Sequence, residues 1–141
     1  MKFLWLVYLV HWEIPMAFDE AYKALAYAYE EYKRFEEGRD LLLLRDACEK
    51  AWLAIILATD QLLVSKGVGK PSSYRERREM LRRLVAGRPE LEGLGIDDRF
   101  YARAYKLNIL GLHEGAIDPE DVEEELRKAE EYLKTLESLT G

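Results

Sequence analysis

Apolar residues recur at steps of three and four along most of the chain, the spacing that gathers them on one side of an α-helix. Over residues 19–37, Ala21, Leu25, Ala28, Tyr32 and Phe35 hold that step, and Gly38 offers the left-handed conformation that stops a helix. A second helix is predicted over 40–66, with Leu44, Cys48, Ala51, Ile55, Ala58 and Leu62 as its main stripe. Its stretch 51–58 (AWLAIILA) is apolar all round, which predicts neighbours on every side. Gly67-Val68-Gly69-Lys70-Pro71 reads as a loop. Ser73-Tyr74-Arg75-Glu76 then matches a capping box, opening a third helix that runs to about residue 86. Gly87, Pro89, Gly93 and Gly95 mark a second loop, and Asp97 is placed to cap a fourth helix reaching about residue 114. Gly115 ends that helix. Asp118-Pro119-Glu120-Asp121 opens a fifth, carrying Val122, Leu126, Ala129, Leu133 and Leu136. No internal repeat of about 20–50 residues is visible. The pattern predicts an all-α protein, an antiparallel bundle of four to five helices.

The start of the chain follows a different rule. Residues 3–10 (FLWLVYLV) are an uninterrupted apolar run, too short for the roughly 20 residues that span a bilayer. Lys2 and this run imitate a signal peptide, but His11-Trp12-Glu13-Ile14-Pro15 offers no small-residue cleavage site. Two readings stay open. The run is a strand or short helix packed on the domain or on a second copy, or Met16 is the biological start and residues 1–15 extend the reading frame. The domain organisation is accordingly an apolar segment, 1–15, followed by a helical bundle, 16–141.

Composition narrows the class. The 141 residues suit one domain, and 49% apolar with 34% charged residues is the balance of a soluble globular protein. A net charge of −6 argues against indiscriminate attraction to nucleic acid or to anionic membranes. Cys48 is the single cysteine, so no internal disulfide is possible, and His11 and His113 are too few to complete a Cys/His zinc cluster. One asparagine (Asn108) and one glutamine (Gln61) among many Glu, Arg and Lys fit adaptation to high temperature. A cytoplasmic protein with no cofactor, no metal and no membrane contact is expected.

Charge is distributed unevenly. Residues 66–88 hold Lys66, Lys70, Arg75, Arg77, Arg78, Arg82, Arg83 and Arg88 against Glu76 and Glu79, a net of +6. Residues 114–137 carry ten carboxylates against Arg127, Lys128 and Lys134, a net of −7. Either the two segments pair, within the chain or across a dimer, or the arginines take phosphate, which matches the guanidinium fork. The Gly67–Ser73 stretch is no P-loop, because a helix precedes it, its glycine spacing is wrong and Pro71 follows Lys70.

On an ideal fourth helix Arg99, Lys106 and His113 line up at i, i+7, i+14, with Arg103 on the flank of that stripe. Cations beside a histidine disfavour its charged form and leave an imidazole able to accept a proton. Asn108 falls in the apolar arc, as expected of a buried hydrogen-bonded amide. Tyr22 and Tyr29 share one face of the first helix with Tyr27 pointing elsewhere, a pattern of core or dimer contacts. Cys48 lies on the buried stripe and is expected to be inert.

An Ala- and Glu-rich first helix leads to Ala47-Cys48-Glu49-Lys50-Ala51-Trp52, the Gly67 turn and Ser72-Ser73-Tyr74-Arg75-Glu76. Leu112-His113-Glu114-Gly115-Ala116-Ile117 then precedes the acidic last helix. Together, over about residues 17–137, these segments resemble the HEPN superfamily (higher eukaryotes and prokaryotes nucleotide-binding), especially its archaeal PaREP-type bundles. The resemblance implies a HEPN-like bundle that forms a homodimer. It also implies RNA or a nucleotide as ligand, and a protein partner such as a nucleotidyltransferase-type antitoxin. Many such proteins are metal-independent RNases marked by Arg, four to six residues, then His. Here Lys106 stands at the arginine position, with six residues between it and His113, while nine residues lie between Arg103 and His113. Lysine lacks the bidentate geometry that holds a scissile phosphate. The resemblance therefore implies a non-catalytic or weakly active member that binds RNA, a nucleotide or a protein partner. An endoribonuclease with His113 as acid/base and Lys106 stabilising charge is the alternative. A structural or antitoxin-like interaction module is a third. The nucleic-acid-binding candidates are Arg75, Arg77, Arg78, Arg82, Arg83, Arg99 and Arg103; the catalytic candidates are Lys106 and His113.

Overall fold

Each apolar stripe becomes the inner face of a helix. In a computed structural model describing residues 17–140, α1 (Ala17–Gly38) buries Ala21, Leu25, Ala28, Tyr32 and Phe35. The two readings of residues 3–10 lie outside the described residues. Gly38 remains helical; Arg39 takes the left-handed turn instead, at φ 59°. Its N–H closes onto the Phe35 carbonyl at 2.6 Å while its guanidinium covers the Phe35 ring at 5.2 Å. These two contacts offset the roughly 1–2 kcal/mol that a side chain costs in that conformation.

Asp40 caps α2 (Leu41–Ser65), accepting from the Leu42 N–H at 3.0 Å. All six stripe residues of α2 are buried, and the helix packs on every other long element of the bundle. It is not enclosed all round, as the apolar 51–58 stretch suggests, because Leu53 faces outward. Ser73 caps α3 (Tyr74–Val85) by accepting from the Glu76 N–H at 3.0 Å. The Glu76 carboxylate returns to Ser72 rather than to Ser73, at 3.2 Å to its N–H and 3.3 Å to its hydroxyl. The second predicted loop contains one helical turn, α4 (Pro89–Glu92), with proline at its start.

The largest departure lies in the predicted fourth helix. It begins as α5 (Ile96–Arg103) behind Gly95, which adopts φ 64°, so Asp97 sits inside the first turn and is not the cap. Without a break the chain then widens into an eleven-residue π-helix, π1 (Ala104–Glu114), in which hydrogen bonds span five residues instead of four. Close packing accompanies the wider turn. A Cβ added to Gly111 would lie 2.5 Å from Sγ and 2.8 Å from Cβ of Cys48, so only glycine lets π1 lie this near α2. Arg45 holds the end of π1, donating from Nε (3.1 Å) and Nη2 (2.6 Å) to the Leu112 carbonyl. Gly115, at φ 62°, reverses the chain.

The final helix, α6 (Pro119–Thr140), runs antiparallel to α1. Tyr22 and Tyr29, seven residues apart, donate to Glu137 and Glu130, each at 3.2 Å. Tyr32 donates to the Pro119 carbonyl at 3.1 Å. These tyrosines are therefore contacts within the chain, and only Tyr27 of the set points outward. Val122, Leu126, Ala129, Leu133 and Leu136 close the core against α2, where the Thr59 and Tyr132 hydroxyls meet at 2.7 Å. Among the described residues there are helices and no strand, and no helix is long and apolar enough to cross a membrane.

Candidate functional site

The π-helix decides the fate of the histidine stripe. The line of Arg99, Lys106 and His113 assumes 3.6 residues per turn throughout, and the i→i+5 spacing across π1 rotates His113 away from it. His113 is exposed, and among the described residues it makes no hydrogen bond or ion pair. Asn108, expected to be buried, is half-buried on the same segment.

Lys106 turns instead toward a carboxylate that sequence reasoning passed over. Glu125 of α6 is almost wholly buried and is met by three cations. Arg103 donates from Nε at 2.5 Å and from Nη2 at 3.4 Å. The ammonium groups of Lys106 and Lys128 stand 3.5 Å and 3.9 Å from Oε1. A lone buried carboxylate is expensive, and a fork-shaped guanidinium with two flanking ammoniums makes it tolerable. Arg103 is thus a core residue, not a surface contact for nucleic acid. Cys48 lies near this cluster; burial first, and the Glu125 charge second, push its thiol up to about 12, as expected of an inert cysteine.

Beside the cluster, a groove of about 320 Å³ between α5 and α6 is lined by Arg99, Arg103 and Lys128, but also by Asp98 and Glu131. Its mixed signs do not supply the one-sided field that concentrates phosphate. Arg99 is turned inward, donating to the Thr135 hydroxyl at 3.3 Å with its guanidinium 5.7 Å from the Tyr132 ring centre. Among the described residues no group of three or more His, Cys, Asp and Glu side chains is arranged to hold a metal ion.

The arginines of α3 divide into three kinds. Arg77 is internal, forming a two-pronged pair with Asp60 of α2 at 2.5 Å and 2.9 Å. Arg78 lies flat on aromatic rings, its guanidinium 3.7 Å from the centre of Tyr101 and 5.9 Å from that of Tyr74. Arg75, Arg82 and Arg83 are exposed. Arg75 and Arg83 share Glu79 at 3.3 Å and 3.7 Å, and Arg82 has no ion-pair partner among the described residues. The acidic helix does not neutralise them. No residue of α3 approaches α6 within 8 Å between Cα atoms. Of the α6 carboxylates, Glu124 and Glu130 pair with lysines of their own helix, and Glu130 and Glu137 accept from tyrosines of α1.

No protein-family model, curated protein or solved structure matches the chain.

Proposed function

We propose that this protein is a non-catalytic RNA-binding bundle that grips the phosphate backbone through α3. The observation that carries the reading is the state of Arg75, Arg82 and Arg83: exposed on one short helix, with Arg75 and Arg83 sharing the surface Glu79 and Arg82 paired with no carboxylate among the described residues. Exposed pairs of that kind are worth about 0–1 kcal/mol, so a phosphate displaces Glu79 at little cost. The net charge of −6 does not oppose this, because the negative charge is concentrated on α6, away from α3.

We also read the chain as a HEPN-like bundle whose catalytic pair is unused. Two positions support that reading. The Lys106 ammonium is engaged by Glu125, and among the described residues His113, at the far end of π1, has no partner to orient it.

The test is fluorescence anisotropy of a labelled 12-nucleotide RNA across a potassium chloride series. Three to four phosphate contacts on a single strand give a log–log salt slope of about −2 to −3. Arg82→Gln with Arg83→Gln should flatten the slope by about 1.4 and weaken binding roughly 25-fold at 0.1 M salt. Unchanged affinity and slope in that variant would remove α3 from the binding face.

A further inference from the structure

Behind Arg78 lies an aromatic stack that the phosphate reading does not use. Trp52 of α2 and Phe100 of α5 are buried with ring centres 5.5 Å apart. Tyr74, at the start of α3, leans on both, 6.2 Å from Trp52 and 6.1 Å from Phe100, the latter at an interplanar angle of 24°. Tyr74 is nevertheless 40% exposed, as is Tyr101, and Tyr105 one turn further on is 53% exposed. Arg78 joins the rings, and its Nε–H is buried with no acceptor among the described residues. Tyr74 is backed by Trp52 and Phe100, and Tyr101 by the Arg78 guanidinium, so neither ring loses much freedom when a flat group stacks on it.

We propose that Tyr74, Tyr101 and Tyr105, with Arg78, form a base-stacking platform, so that the ligand of this face is single-stranded RNA. The inference rests on the reading of α3 as the phosphate grip and adds which form of RNA it takes. On α3, Arg75 and Arg82 flank Arg78 at the three- and four-residue steps that place all three on one side. A strand whose phosphates follow Arg75 and Arg82 therefore brings its bases beside the tyrosines. An unpaired base offers a free face to such rings, whereas in a duplex both faces are already stacked on neighbouring bases. The charge of the flanking side chains separates this occupant from an apolar protein surface, which would offer nothing to Arg82 and leave Arg75 with only Glu79.

Binding of a single-stranded 12-mer and of its duplex is compared for the full chain, Tyr105→Leu, Tyr101→Leu and the two phenylalanine variants. Circular dichroism melts confirm that each variant folds. Each leucine variant should bind the single strand about fivefold or more weakly, with the salt slope unchanged. Phenylalanine, which keeps the ring face, should restore wild-type affinity. The duplex should bind more weakly than the strand and be indifferent to the tyrosines. Wild-type affinity in both leucine variants, with the slope intact, would overturn the platform and leave the arginine grip standing. Absence of any salt-dependent RNA binding would overturn both readings. Self-association lost in Tyr105→Leu, with RNA affinity unchanged, would assign the patch to a protein contact and overturn the platform.

Discussion

Replacing Glu125 with glutamine keeps the shape of the side chain and removes the charge that three cations share. Arg103 is then left unpaired, with its side chain only 7% exposed, while the Lys106 and Lys128 side chains, at 43% and 39%, can turn toward water. The penalty is therefore that of one stranded buried guanidinium, about 3–5 kcal/mol. A domain of this length has roughly 7–20 kcal/mol of stability in total, so the loss is a large fraction of it. With a urea dependence of about 2 kcal/mol/M, the unfolding midpoint should fall by roughly 1.5–2.5 M. The same reasoning makes a second demand. Arg103→Met combined with Glu125→Leu removes both charges, and exchanging a buried pair for apolar groups of similar volume is often neutral or stabilising. The double variant should thus recover most of the lost midpoint. A drop below about 0.5 M for Glu125→Gln, or a double variant no more stable than the single one, would refute the account of this cluster.

Gly111→Ala forces a Cβ to within 2.5 Å of the Cys48 sulfur and should cost about 1–3 kcal/mol in denaturant unfolding. The cost should shrink in a Cys48→Ala background, and strict additivity of the two substitutions would contradict the packing argument. Alkaline pH tests the α1–α6 contact. Burial first, then the neighbouring glutamates, raise Tyr22 and Tyr29 from 10 to about 12. Their contribution to stability should be complete below pH 10 and lost as pH climbs toward 12. Tyr22→Phe with Tyr29→Phe should make the stability profile shallower across that interval, and a profile as steep as wild type would count against those contacts.

The helices and their inner faces were legible because burial follows helical period. Every stripe residue named in the first, second and last helices is buried. Asp40 and Ser73 cap helices through their side-chain oxygens, and Gly115 ends one through its left-handed backbone, as the residue types suggest. Two things were not legible. The change from α to π at Ala104 has no mark in a 3.6-residue pattern, so the histidine stripe drawn through it failed. The role of Glu125 was masked by nine other carboxylates in residues 114–137. A signal for it did exist. Glu125 stands at the edge of the apolar arc, about 20° beyond Leu136, and Arg103 stands at the edge of the facing one, about 20° beyond Ile96. A charge on each of two arcs that must meet predicts a buried pair. Pairing with Asp60 likewise separates Arg77 from its exposed neighbours, a distinction that charge counting along α3 does not make.

Whether the bundle holds single-stranded RNA without cutting it, as proposed, can be read in a single tube. End-labelled RNA is incubated in excess chelator with wild-type protein or with His113→Ala, then run on native and on denaturing gels. Both proteins should retard the RNA on the native gel, and the RNA recovered on the denaturing gel should be full length. Fragments produced by the wild type and absent with His113→Ala would contradict the proposal.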